Sequence, residues 1–330
     1  MPYPNQNHPP LYFVTFALKL QILPMSRQTF ELLILGSSSA SPTSERNASA
    51  QLLNISERYF LIDCGEATQI QLRKYKAKFQ SIDHIFISHL HGDHFFGLPG
   101  LLSSMHLLGR KQDLNIYAPK ELRGLIEAIN KASDTYLNYT IHWFDTSDDG
   151  LQLLFEDEKV SVHCFPLKHR IFCTGFLFSE KPLPRKIDAY LLEKHQVSRA
   201  DIPKLRKGMD VLNEEGKLIE NATVTLPPLP PRKYAYCSDT INHSQMLPYI
   251  KEVDLLYHES TFLDDHAERA KKTFHSTAKQ AAQMAKDAGV KQLLLGHFSA
   301  RYGNLEEFLT QAIPIFENCV LATDGKKLKI

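Results

Sequence analysis

The chain is poor in the features that mark secreted and membrane-spanning proteins. Its 330 residues contain only five cysteines, none in a CxxC pair, and an odd number suits no closed disulfide framework. We therefore expect a reducing, cytoplasmic environment. The apolar run at residues 11–24 includes Lys19 and is too short to span a bilayer, and no basic segment precedes it. We expect neither a membrane partner nor a secretory signal.

The chain also lacks a strong excess of charge of one sign. Its 38 basic and 37 acidic side chains give a formal net charge of +1, which neither favours nor excludes a nucleic-acid partner, because a local basic patch suffices. Residues 180–207 carry eight basic against four acidic side chains, and LPPLPP follows at 226–231. This composition fits either a solvated surface insertion or an arm that grips a polyanion.

Short apolar runs alternate with amphipathic stretches, which favours an α/β class with covered sheets. Helices are predicted at 120–131 and 276–288, the second ending before Gly289. The predicted strands share apolar, β-branched or aromatic composition; they are 30–35, 59–63, 84–88, 114–117, 160–165, 233–238, 253–257 and 292–296.

The domain organisation predicted from these elements is simple. Met25 opens a segment typical of a domain's first strand, so residues 1–24 are predicted to be an N-terminal extension without a part in the chemistry. Residues 25–330 are predicted to form a single domain, with the basic segment inserted at about 180–225.

The strongest chemical signal is SHLHGDH at residues 88–94. His89 and His91 follow an apolar strand at positions i and i+2, so in extended backbone both side chains point the same way. Gly92 permits a sharp turn, after which Asp93 and His94 project toward a neighbouring site. Imidazole and carboxylate groups are the ligands that zinc prefers in catalytic sites, and burying four of them without partners would be costly.

Three further residues occupy a consistent position along the chain. His169, Asp239 and His297 each lie just past the C-terminal end of a predicted strand, where open α/β sheets gather their active-site loops. Together with the first four they make five histidines and two aspartates, enough for two metal ions. Two-metal sites stabilise both the attacking and the leaving oxygen in hydrolysis.

SHLHGDH is the signature of the metallo-β-lactamase superfamily, and its surroundings resemble the ribonuclease Z family. The fold implied by this resemblance is a four-layer αββα sandwich with an inserted basic arm. The motifs that carry the resemblance occur in the family's order: LGSSSASPTSERNAS at 35–49, IDCGEATQIQL at 62–72, HLHGDHFFGLPGLL at 89–102, PLKHR at 166–170, CSDT at 237–240, HEST at 258–261, HSTAKQAA at 275–282 and GHFSARY at 296–302.

The resemblance implies two zinc ions per subunit. The implied ligands are His89, His91 and His169 for one ion, Asp93, His94 and His297 for the other, and Asp239 shared between them. Asp93 is also implied to help activate the attacking water, and His275 to donate a proton to the leaving 3′-oxygen. Arg301 is implied to contact the scissile phosphate, and Asp63 to orient ligands without binding metal.

The implied proton donor raises a physical difficulty, because a helix that begins at Ser276 disfavours a charged imidazole at His275. A general acid must hold its proton, so a carboxylate is expected nearby. We predict that Glu259 of the HEST motif is that carboxylate.

The chain departs from the family in its arm. The glycine-proline step of the long-armed forms is absent, although basic residues that could grip phosphates remain: Arg199, Lys204, Arg206 and Lys207. Ser238 and Phe274 replace the glycines usual before the bridging aspartate and before the proton donor. The resemblance further implies a homodimer in which one subunit's arm presents tRNA to the other's active site.

The function implied is a zinc-dependent endoribonuclease that removes the 3′ trailer from precursor tRNA and leaves a 3′-hydroxyl on the tRNA. One alternative keeps the metals and changes the substrate to small or cyclic nucleotides, because fold and metal site do not fix the substrate. The other is an RNA-binding protein that has lost metal and catalysis, against which the intact ligand set argues.

Overall fold

The computed structural model describes residues 28–330. The predicted extension at 1–24 lies outside the described residues. Within them, the chain forms twenty strands: β1 (Phe30–Gly36), β2 (Ser38–Ser39), β3 (Ala50–Ile55), β4 (Arg58–Ile62), β5 (Ile82–Phe86), β6 (Leu114–Ala118), β7 (Ile141–Asp145), β8 (Gln152–Glu156), β9 (Val160–Pro166), β10 (Thr174–Glu180), β11 (Lys186–Ile187), β12 (Val211–Leu212), β13 (Leu218–Ile219), β14 (Thr225–Leu226), β15 (Lys233–Cys237), β16 (Leu255–Glu259), β17 (Gln292–Gly296), β18 (Phe298–Ser299), β19 (Cys319–Leu321) and β20 (Lys327–Lys329).

The α-helices of the same residues are mostly short and flank the sheets. They are α1 (Thr68–Lys74), α2 (Gly92–Phe95), α3 (Leu98–Leu107), α4 (Glu121–Ala132), α5 (Ala189–Lys194), α6 (Ile202–Arg206), α7 (Asn221–Val224), α8 (Leu247–Ile250), α9 (Ala267–Thr273), α10 (Ala278–Ala288) and α11 (Glu306–Ala312).

Two seven-stranded mixed sheets form the centre of the molecule. The first has the order β20-β1-β3-β4-β5-β6-β7, and the second β19-β17-β16-β15-β10-β9-β8. Each sheet is antiparallel over its early strands and becomes parallel through helical crossovers, from β4 to β7 in the first and from β15 to β19 in the second. Each half of the chain therefore builds one sheet, except that the last strand returns to the first sheet.

Three apolar clusters separate four layers. The central cluster joins inward residues of both sheets, such as Phe86, Phe178 and Tyr257. A second cluster packs the first sheet against α1, α3 and α4, and a third packs the second sheet against α8, α10 and α11. Alternate residues of the strands face opposite clusters, because side chains alternate along a strand. The predicted four-layer αββα sandwich is confirmed.

The eight strands predicted from composition are all present, with ends displaced by at most two residues. The helix predicted at 276–288 begins two residues later than expected, at Ala278. Thr277 is its N-cap, and its hydroxyl accepts the N–H of Gln280 in a capping box. The predicted helix start at Ser276 was wrong because Thr277, and not Ser276, satisfies the first free N–H groups. His275 consequently lies two residues before the cap.

The inserted arm joins β10 to β15 and occupies residues 181–232, a longer segment than the predicted 180–225. It contains α5, α6 and α7 and two small hairpin-like strand pairs. Its own apolar cluster consists of Leu192, Val197, Leu205, Val211, Ile219 and Val224. At its neck, Arg232 donates from Nε and Nη2 to the two carboxylate oxygens of Glu180, at 2.9 and 2.6 Å. This bidentate ion pair joins the two segments of the neck, by which the chain enters and leaves the arm.

Candidate metal centre

The predicted ligands lie at one edge of the sandwich because the strands that precede them run in the same direction. In the second sheet, β9, β15 and β17 are mutually parallel, so the loops after them meet at their carboxyl ends. These loops carry His169, Asp239 and His297. The first sheet contributes the loop after β5, with SHLHGDH, and the short parallel pair β2-β18 joins the two halves beside it.

The helix α2, which carries Asp93 and His94, is held by unusually close backbone packing. The N–H of Cys64 donates to the carbonyl of His94 at 2.7 Å, and that of Gly97 to the carbonyl of Cys64 at 2.9 Å. A Cβ atom at Gly97 would lie 2.0 Å from the carbonyl oxygen of Gly65. Only glycine permits this approach, and the approach fixes the position of both donor side chains.

The seven predicted ligands converge in two groups. In the first, Nε2 of His89 and Nε2 of His169 lie 3.0 and 3.2 Å from Nδ1 of His91. In the second, Oδ2 of Asp93 lies 3.3 Å from Nε2 of His94 and 3.4 Å from Nε2 of His297. Within each group, all donor atoms lie within 4.8 Å of one another.

Asp239 lies between the two groups and directs one carboxylate oxygen at each. Its Oδ2 lies 3.5 Å from Nε2 of His89 and 3.7 Å from Nε2 of His169. Its Oδ1 lies 3.4 Å from Nε2 of His94 and 3.1 Å from Nε2 of His297. A carboxylate placed in this way can bridge two metal ions.

Hydrogen bonds on the far side of the imidazole rings set their orientation. Nδ1 of His94 lies 2.7 Å from Oδ2 of Asp63, and Nδ1 of His169 lies 3.0 Å from the carbonyl oxygen of Phe274. Since both partners are acceptors, each Nδ1 is the donor, so in the neutral ring Nε2 presents its lone pair to the group. Such outer partners fix the tautomer in metal sites and raise the basicity of the ligand.

The carboxylate of Asp63 holds several residues around the centre in place through hydrogen bonds. Its carboxylate accepts hydrogen bonds from the backbone N–H and the hydroxyl of Ser88, from the hydroxyl of Tyr236 at 2.6 Å and from His94. It is fully buried and adopts a left-handed backbone conformation with φ of 54°. His297 itself has φ of 60°. Non-glycine residues are held in such conformations where the surrounding structure determines them, often at functional sites.

The charged groups of the centre favour the binding of a cation. Burial, together with the charge of the neighbouring His89, lowers the pKa of His91 to about 4, and burial likewise lowers the pKa of His169 to about 4, so both are neutral and free to coordinate. Although burial opposes it, the carboxylates of Asp93 and Asp239 raise the pKa of His94 well above its ordinary value. The cluster therefore stabilises positive charge at the position that a metal ion would occupy.

Unpartnered polar atoms give a direct test of whether these residues fit metal ions. Nε2 of His94 and Oδ1 of Asp239 are buried and have no hydrogen-bond partner among residues 28–330. Buried polar atoms are rarely left without a partner, because their desolvation costs about 1–3 kcal/mol each. A metal ion that accepts a lone pair from each of them removes this cost. The residues present fit a metal centre.

His275 stands at the margin of the centre and has a carboxylate partner. Oε1 of Glu259 lies 2.9 Å from its Nδ1, and the hydroxyl of Thr261 lies 3.3 Å from the same atom. Burial opposes protonation, but Glu259 and then Asp239 raise the pKa of His275 to about 9. The carboxylate of Glu259 is itself held by the N–H groups of Thr261 and Ser276.

The donors open onto a cavity of ≈ 460 Å³. It is lined by Ser39, Ala40, Glu66, His91, Gly92, Asp93, Phe96, Arg170, Asp239 and His275. Arg170 supplies positive charge there and is not among the site residues predicted from the sequence, although its place beside His169 in PLKHR could have indicated it. Arg301, the predicted phosphate contact, is exposed beyond this lining and rests on the ring of Phe262, with 5.1 Å from its guanidinium carbon to the ring centroid.

Comparison with curated proteins gives close relatives over nearly the whole chain. The ribonuclease Z of Cytophaga hutchinsonii is 49% identical over 302 residues, which cover 91% of this chain and 96% of that protein. The ribonuclease Z of Parabacteroides distasonis is 43% identical over 301 residues, covering 91% and 99%. The chain belongs to the ribonuclease Z family. It is accordingly a metal-dependent hydrolase of phosphodiester bonds in RNA.

Solved structures agree with this family assignment. The short form of human tRNase Z is 30% identical and superposes with a TM-score of 0.66 over 90% of this chain and 98% of its own. The metallo-β-lactamase fold protein YhfI from Bacillus subtilis, 18% identical, superposes with a TM-score of 0.66 over 92% and 100%, and supports the fold alone. The predicted metallo-β-lactamase sandwich is confirmed.

A family model described as "Anti-Pycsar protein Apyc1" matches residues 30–164, less than half of the chain. The matched segment covers six of the seven strands of the first sheet and the start of the second sheet. Among residues 28–330, no helix has both the length and the apolar composition needed to cross a bilayer.

Proposed function

We propose that the chain is an endoribonuclease that removes the 3′ trailer from precursor tRNA and leaves a 3′-hydroxyl on the tRNA, with two zinc ions as cofactors. The ribonuclease Z relatives support the reaction. The observation that carries the two-metal proposal is the placement of Asp239, with one oxygen toward His89 and His169 and the other toward His94 and His297.

In this proposal, one zinc ion is held by His89, His91 and His169 and the other by Asp93, His94 and His297, with Asp239 shared. Zinc prefers a donor set of imidazoles and carboxylates, whereas the harder ions Mg²⁺ and Ca²⁺ prefer oxygen donors. When bound, the ions would supply Lewis acidity toward the phosphate and a nucleophile at neutral pH.

Side chains of the protein are proposed to accept and donate the protons of the reaction. Oδ2 of Asp93, which accepts the N–H of Ala40 at 2.8 Å, faces the cavity and can receive a proton from the attacking water. His275 donates a proton from Nε2 to the leaving 3′-oxygen, since its Nδ1 is engaged by Glu259. Glu259 keeps the imidazole protonated at neutral pH through its charge and fixes the ring. Arg170 and Arg301 are proposed to bind the phosphates of the RNA.

The arm is proposed to hold the tRNA body, with Arg199, Lys204, Arg206 and Lys207 on phosphates. All four side chains are exposed, although Lys204 is paired with Asp201 at 2.8 Å. β10 begins beside the centre, where the N–H of Thr174 donates to the carbonyl of Ser88, and runs away from it. Its seven residues span about 20 Å. The arm therefore leaves from the sheet edge opposite the metal centre.

This direction supports the further proposal that the protein works as a homodimer; a cytoplasmic location is proposed from its role in tRNA processing. An arm that starts at the far edge is poorly placed to present tRNA to its own centre. A second subunit in a two-fold arrangement can bring that arm to the first subunit's centre.

The direct test is incubation of the purified protein with a precursor tRNA that carries a 3′ trailer. We expect a single cut that yields a tRNA with a 3′-hydroxyl, no product with His91→Ala, and unchanged cleavage with His142→Ala, a histidine exposed on β7. Hydrolysis of cyclic nucleotides without cleavage of precursor tRNA would instead establish the alternative substrate.

A further inference from the structure

Phe96 is a large aromatic side chain left exposed at the entrance of the catalytic cavity. It is 59% exposed and lines the same cavity as His91, Asp93 and His275. Its neighbour Phe95 is only 7% exposed and packs into the cluster between the first sheet and its helices. Phe95 therefore packs in the core, whereas Phe96 faces the cavity.

The ring of Phe96 is held in place although it is exposed. Its backbone N–H donates to the carbonyl of Gly92 at 2.9 Å and continues the turn of α2. A Cβ atom at Gly92 would lie 2.2 Å from Cε2 of Phe96, so the ring occupies space that glycine leaves free. Phe95 contacts it edge to face, with 4.9 Å between ring centroids. The ring is therefore fixed one turn beyond the donors of SHLHGDH.

We propose that the exposed face of Phe96 is a stacking platform for the base of a nucleotide that flanks the scissile phosphate. This inference rests on the proposed cleavage of precursor tRNA. Proteins recognise single-stranded RNA ends by stacking unpaired bases on aromatic rings. Stacking tolerates any base, because every base has a π face, and so suits an enzyme that meets trailers of different sequence. A stacked base would hold the neighbouring phosphate in the cavity that Asp239 and His275 line.

The experiment combines protein variants with substrates that lack single bases. The kcat/KM for precursor tRNA is measured with an intact substrate and with substrates abasic at the nucleotide on either side of the cut. The proteins are wild type, Phe96→Ala, Phe96→Trp and the control Tyr136→Ala. Tyr136 is a 79% exposed aromatic residue in the loop that precedes β7, at the edge opposite the metal centre.

On the intact substrate, Phe96→Ala is expected to lower kcat/KM on the order of 5- to 150-fold, as loss of one stacked base implies. Phe96→Trp should restore it and Tyr136→Ala should not change it. One abasic substrate should be cleaved less well by wild type, and on that substrate Phe96→Ala should cause little further loss. This loss of additivity is a readout that a merely structural role of the ring would not produce.

An equal loss from Phe96→Ala on all three substrates would overturn the platform, because a displaced α2 loop would affect every substrate alike. No loss on the intact substrate would also overturn it. If wild-type protein does not cleave the intact precursor tRNA, the proposed function fails and the platform fails with it. The two failures are distinguished by the wild-type reaction alone.

Discussion

Nδ1 of His275 donates to Oε1 of Glu259 across 2.9 Å, and this contact fixes which nitrogen of the ring can act on the substrate. Any second proton of the imidazole resides on Nε2, on the side of the cavity that His275 lines. The helix α10 begins only at Ala278, so its positive end is two residues further from the ring than the sequence suggested. A buried carboxylate in direct contact outweighs the remaining effect of the helix.

The first prediction concerns this pair. Glu259→Gln removes the charge that raises the pKa of His275, so the pKa of His275 falls. A general acid works only while protonated, and activity is lost as pH rises through its pKa. We therefore expect the alkaline limb of the kcat profile for precursor tRNA to move to lower pH. The exposed Glu268→Gln on the neighbouring α9 is the control. An alkaline limb that does not move would show that Glu259 does not set the proton affinity of His275.

The second prediction concerns metal content. Wild-type protein should contain two zinc ions per chain by elemental analysis, and His297→Ala about one, because the variant removes a ligand from only one group. Removal of both ions by a chelator should lower the melting temperature, since bound metal stabilises only the folded chain. His142→Ala should retain both ions. Equal zinc in His297→Ala and wild type would contradict the proposed division of ligands.

The third prediction concerns Asp63, which binds no metal in this proposal. Asp63→Asn keeps the shape of the side chain but cannot accept all four hydrogen bonds, and it turns an N–H₂ toward at least one buried donor. Loss of such outer partners typically weakens metal affinity by about 10- to 100-fold. Competition titration with a zinc chelator measures the affinity. Affinity within a factor of two of wild type would mean that Asp63 serves the fold alone.

The fourth prediction concerns the arm. The triple variant Arg199→Ala, Arg206→Ala, Lys207→Ala should raise KM for precursor tRNA. If all three residues contact phosphates, it should also reduce the slope of log affinity against log salt by about 2 to 3. Lys204 is left intact because its replacement would also leave its partner Asp201 unpaired. The control is Lys111→Ala, Lys131→Ala, Lys251→Ala, which removes three exposed charges outside the arm. Equal salt slopes for the two triple variants would exclude a phosphate grip by the arm.

A complementary change replaces residues 182–230 with a short Gly-Ser linker and keeps the Glu180–Arg232 pair of the neck. Because the arm has its own apolar cluster, its removal should leave the sandwich folded. We expect hydrolysis of a small chromogenic phosphodiester to persist and cleavage of precursor tRNA to collapse. Retention of both activities would show that the arm is dispensable for tRNA.

The strands predicted from the sequence are those whose own residues form a clear apolar run, whereas β3, β7, β8 and β10 were not predicted. β17 is apolar over residues 293–295 because both of its faces are covered, with alternate residues in different clusters. By contrast, β7 and β8 are edge strands, each with one partner and with partly exposed residues. The central strand β10 was missed because it enters the arm, where the family pattern breaks. Its place between β9 and β15 is set by hydrogen bonds to both.

The sequence alone determined the chemistry of the centre. The types of the donor residues, and their positions directly after strands, could be predicted because both depend on local spacing along the chain. The contact of Glu259 with His275 was predicted from the sequence and is present in the structure. Tertiary structure decided how Asp239 divides its two oxygens, that the arm leaves from the far edge and that Phe96 faces the cavity. Such relations join residues that are distant in sequence, as with His89 and Asp239, which are 150 positions apart. They depend on sheet order and register, which arise from the burial of whole faces and not from any local pattern.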